Sequence, residues 1–300
     1  MTRPERAGRT PSTLSSRSLV LALVDERGTL RAADAFDVGA ALGCTVHQIR
    51  LVLSRLVDEG LLTSVGRGRH AVLTATDRHE HLHGPEPEWL AAAFRQDDGD
   101  DPWDGRWRTI SFTLGEDRRV QRHELRDALV SLGAASLMPG VYVHGADWSH
   151  WLDETIERLG VRDAVVTAEI TAWTVHGRSD PREIAAHLWP LSDTADGYRA
   201  FLERHGPVGA TSAIDDPTAA LAEAVEAVAD FERCIRNDPL LPYELLPDDW
   251  PGRAARDLLV DIALRLRAAR ERTGLPRLFV RYDELIVGRG ASRPSAAVTH

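Results

Sequence analysis

Hydrophobic residues recur along this chain in two rhythms, and the places where the rhythm changes mark its elements. Leu19, Leu21, Leu23 and Val24 predict a short, mostly buried helix over Ser18 to Glu26. Asp34 reads as the N-cap of a second helix that runs through Leu42 and ends at Gly43. Thr45 opens a third, which runs to Glu59 and stops at Gly60. Leu61–Val65 and His70–Thr74 then read as two strands about the turn Gly66-Arg67-Gly68. Helix, helix, glycine turn, helix and hairpin is the order of a winged helix-turn-helix.

Farther on, residues 79–102 are rich in His, Pro and acid, and read as a linker with a short helix around Glu88–Arg95. Period-two alternation over Trp107–Leu114 predicts a strand. Arg118–Leu132 follows as an amphipathic helix, Val141–His144 as a strand, Trp148–Leu159 as a helix and Ala164–Thr174 as a strand. That order suggests a small ferredoxin-like α+β domain. From Pro181 the pattern is helical: Pro181–Leu188, Ala195–His205, Thr218–Arg236 and Gly252–Thr273. Between the last two, Asp238 to Pro251 holds Pro239, Pro242, Pro247 and Pro251, which forbid a helix and impose an extended turn. The expected organisation is α+β throughout. It comprises a disordered tail (1–14), a winged helix-turn-helix (15–79), a linker (80–102), a ferredoxin-like domain (103–178), a helical C-terminal domain (179–286) and a mobile tail (287–300).

Composition narrows the classes. The chain has 300 residues, 43% of them hydrophobic, and no run approaches the roughly 18 apolar residues of a membrane span. Two cysteines, Cys44 and Cys234, are too few for a disulfide framework or a Cys-rich zinc site, so a reducing, cytoplasmic setting is expected. Every basic residue is Arg. The net charge of −10 conceals an asymmetry: residues 1–79 carry 11 Arg against 8 acids, a net of +3, and the remainder carries 25 against 38, a net of −13. An acidic body with a small basic module can still grip DNA locally.

The third helix carries the candidate chemistry. Thr45 with Gln48 three residues on is a capping box. On a helical wheel Ile49, Val52, Leu53 and Leu56 share one side, while His47, Leu51, Ser54, Arg55 and Asp58 fall opposite, with Gln48 and Arg50 at the flanks. His47, Ser54 and Arg55 can donate to bases or phosphates, and Leu51 suits a thymine methyl. The hairpin adds Arg67 and Arg69 beside glycines that let a backbone approach closely. Thr45, His47, Gln48, Arg50, Leu51, Ser54, Arg55, Arg67 and Arg69 are thus the candidate contacts to double-stranded DNA. The spacing of Gly66, Gly68 and Ala71 imitates a dinucleotide fingerprint, but a strand follows where that motif needs a helix.

Other motifs are weaker. His79, His81 and His83 alternate as metal ligands can, without a fourth ligand at any recognised spacing, and read as solvated linker. Asp97 to Asp101 lacks an EF-hand pattern and reads the same way. No nucleophile elbow, zincin motif or P-loop occurs, so no cofactor, metal site or catalytic residue is expected. A competing reading is a metal-dependent nuclease or RNA-processing enzyme on the middle domain, for which Glu116 and Asp117 are the nearby carboxylates. A cluster of Arg106, Arg108, Arg118, Arg119 and Arg122 beside Trp103 and Trp107 is the candidate site for a phosphate-bearing aromatic effector.

Three stretches carry a family resemblance: Leu53-Ser-Arg-Leu-Val-Asp-Glu-Gly-Leu-Leu62; Trp103-Asp-Gly-Arg-Trp107 with Arg118-Arg119, Leu125-Arg126 and Met138-Pro-Gly-Val-Tyr142; and Asp238-Pro-Leu-Leu-Pro-Tyr-Glu-Leu-Leu-Pro-Asp-Asp-Trp-Pro-Gly252. Together, over about Ser15 to Arg281, the chain resembles the PaaX family of repressors of phenylacetate degradation. The resemblance implies a winged helix, a ferredoxin-like middle domain akin to a CRISPR-associated nuclease fold and a helical C-terminal domain. It also implies a homodimeric repressor that leaves its operator when an aryl-acetyl-CoA or related acyl-CoA thioester binds.

Overall fold

The computed structural model describes residues 16–25, 27–76, 87–206, 217–273 and 282–292. The tail 1–14 and the histidines His79, His81 and His83 lie outside them. The chain divides into two compact units, one of Met1–Pro87, Phe201–Glu232 and Arg256–His300, the other of Glu88–Ala200 and Arg233–Ala255. Mixed helix and antiparallel sheet make the architecture α+β.

The first unit begins with α1 (Ser16–Ala22), β1 (Thr29–Arg31), α2 (Ala32–Ala41), α3 (Val46–Asp58), β2 (Leu62–Val65) and β3 (Val72–Ala75). The strands form one antiparallel sheet in the order β1-β3-β2, with Leu30 opposite Leu73 and Val65 opposite Val72. Leu19, Val20, Leu30, Phe36, Ile49, Leu56 and Leu73 are buried and form its core. α2 and α3 come so close that a Cβ on Gly39 would lie 2.7 Å from the Ile49 side chain. The three-residue β1 escaped the sequence pattern because it is too short to show alternation. His70 belongs to a 3-10 turn, Gly68–His70, so the second hairpin strand starts at Val72. The same unit holds most of α9 (Pro217–Ile235) and of α10 (Gly252–Thr273), and all of α11 (Asp283–Ser292).

α11 occupies part of the stretch expected to be a mobile tail. Asp283 and Glu284 in its first turn favour the helix dipole, and Arg289 turns inward, buried, 3.5 Å from Asp257.

The second unit is built on β4 (Trp107–Phe112), α5 (Arg119–Ser131), β5 (Ala135–Met138), β6 (Val141–His144), α6 (Ser149–Leu159) and β7 (Val165–Ile170). The sheet order is β5-β6-β4-β7, antiparallel throughout. Ile110, Leu125, Leu129, Tyr142, Trp148, Leu152 and Ile156 form the core between sheet and helices. The linker expected over 80–102 is in large part structured. α4 (Pro87–Asp98) buries Leu90, Ala93 and Phe94 in its apolar stripe. Asp97, expected to be solvated, is buried and accepts a hydrogen bond from Tyr243 Oη at 2.7 Å. The boundary expected near 179 also falls within this unit, which takes in α7 (Pro181–Leu188) and the start of α8 (Leu191–His205).

The proline-rich segment 238–251 lies wholly in the second unit, and its leucines 240, 241, 245 and 246 are buried, as is Trp250. Leu240 adopts a left-handed conformation, φ +48°. The Asp238 carboxylate accepts from the Leu240 backbone N–H at 2.9 Å, and Gln96 Nε2 donates to the Leu240 carbonyl at 2.8 Å. Tyr198 Oη donates to the other Asp238 oxygen at 2.7 Å. The Pro239 carbonyl is 2.7 Å from His144 Nε2, while Ala146 N–H donates to His144 Nδ1 at 2.9 Å. A ring whose Nδ1 accepts must carry its proton on Nε2, so His144 is the neutral tautomer that donates to Pro239.

Burial, with a smaller contribution from the Arg108 charge, pushes the His144 pKa down to about 4. An unfolded imidazole takes its proton near pH 6.5 and the folded one only near 4, so between those values the unfolded chain binds more protons. Stability is therefore full above about pH 6.5 and falls by roughly 3 kcal/mol on the way down to about 4. Urea denaturation between pH 7.5 and 4 should show this loss, and His144→Gln should lose less over that window. Gly133 supplies a second check. Its φ is +82° and an added Cβ would lie 2.7 Å from the Pro239 carbonyl oxygen. Gly133→Ala should cost roughly 3 kcal/mol of unfolding free energy, strain and backbone clash together; a cost below about 1 kcal/mol would show that the segment is free to shift.

Candidate nucleic-acid interface

α3 is fixed at its start by the capping box read from the sequence. Gln48 N–H donates to Thr45 Oγ1 at 3.2 Å, and Thr45 N–H to Gln48 Oε1 at 2.7 Å. Ile49, Leu53 and Leu56 face inward, leaving His47, Gln48, Arg50, Leu51, Ser54 and Arg55 exposed on the outer surface. Leu51 is 42% exposed and Val46 54%, so two aliphatic side chains stand among polar ones. Ser54 Oγ sits at 3.5 Å from Asp58, a weak contact. Gln48 commits its carbonyl oxygen to the cap, which leaves only its amide N–H groups to meet a ligand.

The hairpin treats its two arginines differently. Arg69 pairs with Asp37 of α2 at 2.6 Å and stands 5.9 Å over the Phe36 ring. Arg67 projects from the loop without an ion pair among the described residues, as do Arg50 and Arg55 on α3. Sequence reasoning missed Arg31. It is exposed at the end of β1, opposite Val72, which in turn lies opposite Val65. Since cross-strand partners share a face, Arg31, Val65 and Val72 make one exposed row. Only the short strand β1 identifies it, and that strand left no readable alternation.

The candidate effector cluster is split. Trp103, Arg106, Trp107 and Arg108 gather at the start of β4, whereas Arg118, Arg119 and Arg122 lie beyond its far end. Six strand residues span about 20 Å. Trp107 is buried, stacked on Trp189 with ring centroids 6.2 Å apart, and meets Trp103 edge-on at 5.7 Å. Arg106 pairs with Glu169, and Arg108 with Asp104. The Arg108 guanidinium holds the Asp104 carboxyl below the usual carboxylate range. Arg118 pairs with Asp163 at 2.8 Å and lowers its carboxyl pKa likewise. Arg119 and Arg122 share Glu116 at 3.6 and 3.0 Å. Glu116, a candidate metal ligand of the nuclease reading, is thereby engaged, and no group of three or more potential metal ligands is assembled among the described residues.

Comparison with known proteins then places the chain. Residues 100–185 match the model of the PaaX protein central Cas2-like domain, and residues 189–273 that of the PaaX-like protein C-terminal domain. Those matches, adjacent in the chain, are to two domains of one family of α+β proteins. The chain belongs to the PaaX family. Transcriptional repressor PaaX of Escherichia coli strain K12 is 25% identical over 232 residues, which cover 76% of this chain and 71% of that protein. A solved structure, uncharacterized protein Rv0674 from Mycobacterium tuberculosis, superimposes with a TM-score of 0.52 at 23% identity, covering 88% of this chain and all of the other, and supports the fold alone. The exposed surface of α3 lies before both matched domains. Among the described residues no helix is long and apolar enough to cross a membrane.

The cap that sets the start of α3 is directly testable. Thr45→Ala removes an acceptor for the first turn and should cost about 1 kcal/mol in chemical denaturation.

Proposed function

We propose that the chain is a DNA-binding transcriptional regulator, a repressor by the name of its relative, whose residues 16–76 act as a winged helix-turn-helix. The observation that carries the reading is the outer surface of α3. Arg50 and Arg55 stand there without ion pairs among the described residues, beside exposed Leu51 and His47, in a chain whose net charge is −10. Unpaired cations on the helix that follows a helix and a glycine turn suit the major groove, where Arg reads guanine and an aliphatic group meets a thymine methyl. Arg67 and Arg31 suit the flanking phosphates. Arg69, already held by Asp37, acts in this reading by bracing the hairpin. The four-stranded order β5-β6-β4-β7 with two helices supports a ferredoxin-like middle domain.

The same reading takes from the family resemblance a homodimer and an acyl-CoA-type effector. Trp103 and Arg106 at the start of β4 remain the half of the effector cluster that stays together. Binding of a thioester releases DNA only if it prefers the non-binding arrangement, so operator DNA must weaken thioester binding by the same factor.

A site selected in vitro from a random duplex library is the probe for the DNA surface. Arg55→Ala should cost roughly 1–3 kcal/mol on that site and relax its sequence preference. Arg67→Ala should weaken all duplexes and flatten the log–log salt slope by about 0.9. Unchanged affinity in an Arg50→Ala, Arg55→Ala double variant would overturn the assignment of α3.

A further inference from the structure

Beyond β7, in the second unit, Val175 and Arg178 exchange backbone hydrogen bonds at 2.9 and 3.0 Å around His176 and Gly177. Both central residues have positive φ, +48° and +83°. This is the two-residue hairpin turn that Asn, Asp and Gly fill at little cost, and in which a bulkier side chain is strained. The strained residue is a histidine, and its side chain meets another. His176 Nδ1 lies 2.8 Å from His187 Nε2 in the last turn of α7, with the rings nearly perpendicular at 82°. Both side chains are exposed. Strain held where two ligating groups converge is the pattern of a binding site rather than of a turn chosen for its own stability.

The geometry suits one kind of ligand. Imidazole nitrogens bind Zn2+ at about 2.0–2.1 Å, so two of them in cis positions on one ion stand about 3 Å apart. The present separation is within a few tenths of an ångström of that, and each ring must also turn from the hydrogen bond they share to aim its nitrogen at the ion. The neutral imidazole is the form that ligates. Arg178 repels a cation, although its guanidinium donates to the His176 carbonyl at 3.3 Å. Opposing it is Glu183, exposed one turn before His187 on the same side of α7.

We propose that His176 and His187 bind a divalent transition-metal ion of the kind imidazole prefers, Zn2+, Ni2+ or Cu2+, as a two-histidine site with the Glu183 carboxylate as a counter-charge on the same helix and water completing the shell. The proton now shared between the rings moves to the outer nitrogen of its own ring, so no net proton is released at neutral pH. The ion fastens the hairpin after β7 to α7. This site is independent of the DNA-binding reading and stands or falls without it.

The test is calorimetric titration of the untagged, chelator-stripped full chain with ZnCl2 and NiCl2, and with MgCl2 as control. It is run on a His79→Ala, His81→Ala, His83→Ala background, because those three histidines offer a competing ligand set. Zn2+ and Ni2+ should bind one site and raise the melting temperature, and Mg2+ should do neither. His187→Ala should weaken binding about tenfold or more, and Glu183→Gln by less. His176→Asn guards against misfolding: Asn tolerates the left-handed turn, so the metal-free melting temperature should hold or rise while the ion is lost. Affinity in the His176 and His187 variants equal to that of the parent, or no binding at millimolar Zn2+ and Ni2+, would overturn the site.

Discussion

The hydrogen bond from His144 to the Pro239 carbonyl is the contact on which the second unit depends. It joins the end of β6 to a segment about a hundred residues later, and it can form only if three costly conditions hold together. The ring must stay neutral in a site that excludes water. Leu240 must sit in a left-handed conformation, and residue 133 must lack a Cβ so that the Pro239 backbone can come close. Each condition is met by a named partner. Ala146 N–H fixes the tautomer, Asp238 and Gln96 hold both backbone groups of Leu240, and the Gly133 carbonyl accepts from Trp189 Nε1 at 2.7 Å. Trp189 in turn stacks on Trp107 of β4, so the sheet, α7 and the proline segment share one set of contacts. A segment whose only regular element is the 3-10 turn Tyr243–Leu245 is held in place because its prolines limit the unfolded alternatives and its polar groups are paired.

Against that rigid unit, the first unit concentrates its polar chemistry on one exposed helix surface. The capping box does two things there. It sets where α3 starts, and so which residues face outward, and it commits the side chains of Thr45 and Gln48 to the helix itself. What remains for a partner is Arg50, Leu51, Arg55 and His47. Arg69 is likewise committed, through Asp37, though both side chains are more than half exposed and such pairs contribute little to stability. Their role is to hold direction more than to add energy. In the proposed reading DNA binding by an acidic chain is a local matter: charges are screened over a Debye length of about 8–10 Å, and cations outside any ion pair act at contact distance.

Legibility in the sequence followed the length and regularity of each element. α3, α5, α6, α7 and α10 were readable because each presents several turns of one apolar face, and the four prolines of 239–251 announced a fixed non-helical path. β1, of three residues, was not, since so few positions cannot display alternation, and neither was β5, Ala-Ser-Leu-Met, which has none of the β-branched or aromatic residues that mark the equally short β6. α4 was legible as a short helix around Glu88–Arg95, but its last turn hid in the acidic run that follows. The composition of 97–101 reads as solvent-facing, yet Asp97 is buried because Tyr243 and Arg253 arrive from far along the chain. α11 hid behind its glycines. In the candidate interface the exposed residues of α3 were legible from the wheel, while the engagement of Arg69 and the presence of Arg31 depend on tertiary neighbours that a local pattern cannot supply.

Ion pairing alone does not decide whether the arginines near β4 can serve a ligand. Arg106 and Arg118 form pairs in which the carboxylate partner is about half exposed or more, and exchanging such a partner for a phosphate costs little, because water already screens the pair. Bidentate phosphate contacts are stronger than that. What argues against a single site is distance. The two groups of arginines stand at opposite ends of a strand about 20 Å long, and a rigid sheet cannot bring them together. An extended thioester whose charged and aromatic ends are themselves far apart could still touch one group with each end, but Trp107 would then have to leave its stack on Trp189 and expose a buried ring. The half of the cluster that needs no such rearrangement is Trp103 with Arg106, both reachable from solvent at the start of β4. In the proposed reading an effector therefore has its contacts chiefly there, and the far arginines remain part of the α5 surface.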